Sequence, residues 1–441
     1  MFSSKLMRSS SLAVLSAGML LSIAACGGGD SEVGQSQNNI GGNPVEFSER
    51  GPITLASEKD LSGIVTKQIE EWNAEHPGEE VTLMDLGDSA DQQRQQMIQN
   101  AQTKSDTYTI LTMDVVWTAE FAANQYIDPL PGDEFDLDAM LPATVDSATY
   151  AGNLYGIPQR TDAALLYYRT DLLEAAGINS PPETWDELKD DCDKIKEIDG
   201  NQDLICYGAQ LNKYEGLTVN TTEVINSAGG DVISEDGTTV TVNTSEAKEG
   251  LEFLIDGLED GYIDPGELTW REDDGRSAFQ DGKVIFLRNW PFVYALVDVE
   301  DGSSEVAGKF AVAPIPGKDG IGVSSVGGYN LAINKYAKNK GTALDFIKFI
   351  ASEDQQRTQL ETASRAPIIA SLYDDAELQA QLPYLGALKE SLENAVPRPK
   401  VVKYGDVTLA IQDSAYAALQ GDVSADDALA EMEQRLQSLI D

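Results

Sequence analysis

Apolar residues in this chain fall in two rhythms, and the rhythms alternate. Pro52-Ile-Thr-Leu-Ala is a short apolar run that predicts a strand. Leu61, Ile64, Val65, Ile69 and Trp72 follow at helical spacing, and Pro77-Gly78 closes that element. Val81-Thr-Leu-Met reads as a second strand, and a helix from Asp91 carries Met97, Ile98 and Ala101 on one face. Tyr108-Thr-Ile-Leu-Thr-Met is a third strand, followed by a helix from Val116 to Gln125. Strands alternating with helices predict an α/β fold with a mainly parallel sheet covered on both faces.

Further on, Tyr150-Ala-Gly-Asn-Leu-Tyr predicts a hairpin about Gly152-Asn153. Ala164-Leu-Leu-Tyr-Tyr is a strand, and Thr170 to Ala176 a short helix stopped by Gly177. Thr184 can cap the next helix, with Glu187 three residues on. Helices near 217–228, 245–260 and 272–281 follow, with strands at Val284-Ile-Phe-Leu, Phe310-Ala-Val-Ala and Gly328-Tyr-Asn-Leu-Ala-Ile. Beyond residue 340 the pattern is helical, broken at Pro367, Pro383 and Pro397. A chain of 441 residues exceeds the size at which one core stops growing, so two lobes are expected.

The N-terminus departs from this pattern. Lys5 and Arg8 precede an apolar run from Leu12 to Ile23. That run is shorter than the ~20 residues a bilayer core requires, so residues 1–25 read as a secretory signal that is removed after export. Ile23-Ala24-Ala25-Cys26 resembles a bacterial lipobox, in which Cys26 is lipidated and anchors the chain to the membrane. Residues 26–50, rich in Gly, Ser, Asn and Gln, read as a flexible tether.

Charge then narrows the partners. The chain has 31 basic and 74 acidic side chains, a net charge of −43. Nucleic acid and anionic membrane surfaces both need basic patches, so neither is expected as a partner. The acids are spread along the whole chain, as on a solvated surface. His76 is the single histidine, which excludes His-pair metal sites and disfavours a Ser-His-Asp triad. It stands beside Pro77 and reads as a surface residue near a helix end. Cys192 and Cys206 form an even pair in an exported chain, which predicts a disulfide over two buried thiols. Asp199-Gly-Asn-Gln-Asp203 has the early spacing of a calcium loop but lacks its Gly and closing Glu, and reads as a turn.

Several segments run in an order that is familiar. They are Asp114-Val-Val-Trp-Thr-Ala-Glu-Phe-Ala, Ile157-Pro-Gln-Arg-Thr-Asp-Ala-Ala-Leu-Leu-Tyr-Tyr-Arg, Asn289-Trp-Pro-Phe-Val-Tyr-Ala, Val326-Gly-Gly-Tyr-Asn-Leu-Ala-Ile and Ala343-Leu-Asp-Phe-Ile-Lys-Phe-Ile-Ala-Ser, followed by Arg398. With the lipobox, this set resembles the extracellular solute-binding proteins of ABC sugar importers. Lys213-Tyr-Glu-Gly-Leu-Thr-Val-Asn, the 192/206 cysteine pair and Pro397-Arg-Pro resemble their trehalose/maltose-binding lipoproteins in actinobacteria. The resemblance implies a periplasmic-binding-protein-like fold, two α/β lobes with sugar in a cleft. The lobes would comprise 51–160 with 297–336, and 161–296 with 337–441, the chain crossing near residues 160, 297 and 337. It implies a monomer that passes a sugar to ABC permease subunits, with no enzymatic step and no cofactor.

A neutral sugar needs carboxylates, amides and arginines for its hydroxyls and aromatic planes for its ring faces. Trp290, after a strand and before Pro291, is the candidate plate; otherwise it is a core tryptophan. Asp114 ends a strand and is either a hydroxyl acceptor, a helix cap, or both. Glu58 and Asp162 match ligand-contacting positions of the family. Arg160 stands where relatives often have an aromatic and can instead pair with Asp162. Gly327 and Gly328 allow close ligand approach or mark a bulge. Arg398 is held between two prolines, and Asn220 and Glu272 complete the set, with surface positions as their alternative. Trp117, Trp185 and Trp270 read as packing residues. The competing readings are a binding protein for another polar solute (an oligosaccharide, polyol or peptide) and a secreted glycosidase with two carboxylates.

Overall fold

The computed structural model describes residues 45–440, Asp88 excepted. The signal segment and Cys26 lie outside these residues. Strands β1 (Ile53–Ser57), β2 (Val81–Asp85) and β3 (Ile110–Asp114) run parallel, with β1 in the middle. Helices Ile64–Glu75 and Ala90–Gln102 lie between them in the chain. Parallel neighbours need such crossovers, because a tight turn cannot reverse the chain twice. β3 is buried at every residue, its polar Thr112 and Asp114 included.

A ribbon of β4 (Thr149–Tyr150) and β5 (Asn153–Leu154) follows. It turns on Ala151 and Gly152, with φ of 47° and 77°, one residue earlier than the Gly152-Asn153 reading. The remaining strands are β6 (Ile157–Asp162), β7 (Leu165–Arg169), β8 (Ile205–Gly208), β9 (Val284–Asn289), β10 (Phe310–Pro314), β11 (Ser325–Ile333) and β12 (Val396–Pro397). One sheet has the order β12-β11-β3-β1-β2, with β6 also paired to β11; the other has the order β10-β7-β9-β8. β11 runs antiparallel to β3 and β6, and β7 antiparallel to β9 and β10. Both sheets are therefore mixed, but parallel pairs are the majority in the first, where β1, β2 and β3 pair in parallel as expected. Only Ala163 and Ala164 separate β6 in one sheet from β7 in the other, so no helical crossover intervenes there.

Pairing also divides the stretches that sequence analysis assigns whole to one lobe. Within 297–336, β10 joins the second sheet and β11 the first. Within 337–441, helix Lys340–Ala351 packs on β6 and β11, and its Phe346 and Phe349 meet Trp72. Helices Tyr404–Leu419 and Ala425–Ile440 pack instead on helices Glu215–Ser227 and Ser245–Asp260. Helical periodicity says that a face is buried, not which sheet buries it.

Other local expectations resolve as follows. Thr184 and Glu187 form a capping box on helix Trp185–Lys196. Cys192 and Cys206 are joined as a disulfide, with Cα atoms 5.7 Å apart. His76 is half-buried rather than a surface residue, its ring stacked on Trp72 with centroids 3.6 Å apart. The tether expected over 26–50 does not extend to its end. Phe47 packs on the core, Gly341 N–H donates to the Glu49 carbonyl at 3.0 Å, and Arg50 pairs with Glu79 at 2.7 Å. Among the described residues, no helix is long and apolar enough to cross a membrane.

Candidate functional site

The C-terminal ends of β1, β3 and β9 converge on a cavity of about 470 Å³. Strand ends are where open α/β sheets offer a crevice to ligands. Of the residues singled out in the sequence, Glu58, Asp114, Arg160, Asp162, Glu272, Trp290, Gly327, Gly328 and Arg398 line it. Asn220 does not. The helix Glu215–Ser227 turns Glu215, Gly216 and Val219 to the cavity, and Asn220 lies about 100° further round. Its amide is buried and donates to the carbonyls of Gly216 at 2.8 Å and Gln210 at 3.2 Å.

Trp290 is half-buried, immediately after β9. Its N–H donates to Asn289 Oδ1 at 2.8 Å, and its carbonyl accepts the Tyr167 hydroxyl at 2.8 Å. Backbone at both ends of the residue is thus fixed. A Cβ at Gly327 would stand 3.1 Å from the Trp290 ring and 3.1 Å from Asp162 Cβ. Gly328 has φ of +113°, and a Cβ there would stand 2.3 Å from the Arg160 carbonyl oxygen. The strand register shifts just beyond it, between Tyr329 and Asn330. The two glycines serve the close antiparallel pairing of β11 with β6 as well as the cavity wall.

Two buried ion networks flank the cavity. In the first, Arg160 Nη1 donates to Glu58 Oε1 at 2.9 Å and Nε to Asp162 Oδ2 at 3.4 Å. Its guanidinium lies 4.2 Å from the centroid of the Tyr329 ring. Arg365 Nη2 stands 3.5 Å from Glu58 Oε1. Burial works to raise the Glu58 carboxyl, but Arg160 and Arg365 outweigh it and hold it at about 2. Asp162 is balanced the other way: burial pushes it up to about 6 against the pull of the same two arginines.

The second network spans the sheets. Arg398 Nη2 donates to Asp114 Oδ1 at 2.8 Å, and Nη1 to Glu215 Oε1. Asp114 Oδ1 also accepts the Val116 N–H at 3.2 Å, so this carboxylate caps a helical turn and binds an arginine at once. Glu215 accepts hydroxyls from Tyr404 and from Thr408, the latter at 2.7 Å. Its own N–H donates to Asp91 Oδ2 at 3.0 Å. Burial pushes the Glu215 carboxyl up to about 7, with the charges of Asp114 and Asp91 adding to burial and Arg398 opposing it.

Sequence reasoning passed over Tyr214, Glu215, Arg271 and Tyr329, which also line the cavity. Tyr214 and Glu215 lay inside a segment valued only as a family mark. Arg271 Nε and Arg398 Nε are buried atoms with no hydrogen-bond partner, and Arg271 lies over the Tyr214 ring at 5.6 Å. Two such donors stand beside one cavity. Among the described residues, no cluster of three or more His, Cys, Asp or Glu could hold a metal.

Comparison with known proteins follows the same line. Residues 56–357 match the family model described as bacterial extracellular solute-binding protein. The chain is 34% identical over 378 residues to a probable ABC transporter-binding protein of Deinococcus radiodurans, covering 84% of this chain and 89% of that one. It is 26% identical over 364 residues to a mannitol-binding protein of Pseudomonas aeruginosa, covering 77% and 82%. The maltose-bound structure of T. maritima MalE3 superposes with a TM-score of 0.83 at 34% identity, covering 88% of this chain and 99% of that one.

Proposed function

We propose, from the premise that this chain belongs to the bacterial extracellular solute-binding proteins, that it captures a glucose disaccharide of the trehalose or maltose kind for an ABC importer. Its relatives named above are binding proteins rather than enzymes. The observation that carries the reading is convergence. Trp290, Glu58, Asp114, Asp162 and Arg398 come from five distant chain segments to one cavity of about 470 Å³. That volume lies in the range of small-ligand sites, roughly 300–1,000 Å³. Trp290 stacks under a sugar ring, while Arg271 and Arg398 give hydroxyl oxygens the donors they need. The two sheets form two lobes that close on the sugar. Cys26, lipidated after removal of residues 1–25, holds the protein at the outer face of the membrane.

Calorimetry of the mature protein against trehalose, maltose and mannitol tests the ligand. Heat with a glucose disaccharide is expected. Trp290→Ala should weaken that binding by ~1–3 kcal/mol, as loss of a stacked aromatic does. Heat with mannitol alone would move the reading to a polyol, and unchanged affinity in Trp290→Ala would place the sugar elsewhere. For the anchor, Cys26→Ala should abolish acyl labelling and membrane retention; an unlabelled wild type refutes it.

A further inference from the structure

Behind Trp290 lies an ion pair that sugar binding does not itself use. The side chains of Arg288, in β9, and Glu223, in helix Glu215–Ser227, are 1% and 3% exposed. Arg288 Nε and Nη2 donate to the two Glu223 oxygens at 2.7 and 2.6 Å, and Nη1 donates to Gln210 Oε1 at 2.8 Å. A pair this deep adds little net stability, because desolvation consumes most of the Coulomb gain. What it holds is more telling.

Arg288 Cζ sits 4.1 Å from the centroid of the Trp290 ring, covering one of its faces. Glu223 Oε1 also accepts the Ser325 N–H at 3.0 Å and the Ser324 hydroxyl at 3.4 Å. Ser325 begins β11, the strand that enters the first sheet. Two residues on stands Gly327, under the edge of the same Trp290 ring. One carboxylate therefore links the back of the aromatic plate to the start of the strand that passes beneath it.

We propose that the buried Glu223–Arg288 pair is a positioning device that fixes the tilt of the Trp290 ring against β11, so that the ring needs no ordering when ligand stacks on its free face. The proposal rests on the reading of Trp290 as the ligand plate. Neither residue touches the ligand; both act through the ring.

The test uses the full mature chain. Glu223→Gln together with Arg288→Met removes both charges at once and leaves an amide oxygen for Ser325. With fluorotryptophan incorporated at all five tryptophans, the Trp290 fluorine line is the one missing from Trp290→Ala. In the paired variant that line should shift and broaden while the other lines hold. Arg288→Lys, which keeps charge but loses the planar cover, should fall between. A Trp290 line that does not move overturns the proposal. By calorimetry with maltose, the paired variant should bind about three- to tenfold more weakly, and the same change in a Trp290→Ala background should have no further effect. Equal losses in both backgrounds would mean a general structural role and overturn it as well. No heat with maltose in the wild type would count against the sugar reading, and the fluorine spectra would still decide the positioning.

Discussion

Adjacent glycines under the plate should behave differently when substituted. At Gly327 an added methyl meets Asp162 Cβ and the Trp290 ring at 3.1 Å, contacts that small shifts of the ring and of Asp162 can relieve. At Gly328 it meets backbone at 2.3 Å, with φ of +113°. Gly328→Ala should therefore lower the melting temperature sharply, by more than the ~1 kcal/mol of a compatible glycine change. Gly327→Ala should keep its melting point and lose ligand affinity. Equal melting points for the two variants would refute the contrast. The carboxylates give a second test. A carboxyl raised in the folded state binds protons that the unfolded chain has already lost, so stability falls as pH rises from its ordinary value to its raised one. Glu215, at about 7, is such a group, and Asp162, at about 6, is another. Melting curves of the wild type and Glu215→Gln between about pH 5 and about pH 8 should therefore converge or cross in favour of the variant as pH rises. Parallel curves would show that Glu215 titrates normally.

At the scale of elements, the disulfide joins helix Trp185–Lys196 to β8 across a separation of 14 residues. Closing such a loop is worth ~3 kcal/mol in the chain-entropy model. Reduction should lower the melting temperature by several degrees, and thiol counting should find Cys192 and Cys206 blocked until reductant is added. Two free thiols in exported protein would sink this. Elements with a clear rhythm were legible in the sequence: β1, β3 and β9 as apolar runs, and the Thr184 start through its capping box. β8 was not, because four residues containing Cys206 and Gly208 give no run to read. Asn220 was misplaced by helix phase, since the start of that helix at Glu215 decides which residues face the cavity. Glu215 itself was silent because its meaning lies in Arg398, 183 residues away. Local pattern finds the elements; contacts between distant segments, which build the site, leave no local mark.

For the whole molecule, Arg398 is one of the groups that span the two sides, held by Asp114 at the end of β3 and by Glu215 at the head of its helix. If the lobes close on sugar, solution scattering should show a smaller radius of gyration on adding maltose. In Arg398→Lys, which cannot make both contacts through one planar fork, that contraction should need more sugar. An unchanged radius at saturation would mean a rigid site. The crossing of β11 beneath Trp290 has a consequence for descent as well as for binding. A lineage that changes its solute can do so through side chains such as Lys59 and Arg271, where replacement alters contacts and leaves the backbone alone. The plate and the strand under it pass on as one block, because no single step away from glycine at 327 or 328 leaves Trp290, Asp162 and the Arg160 carbonyl where they stand.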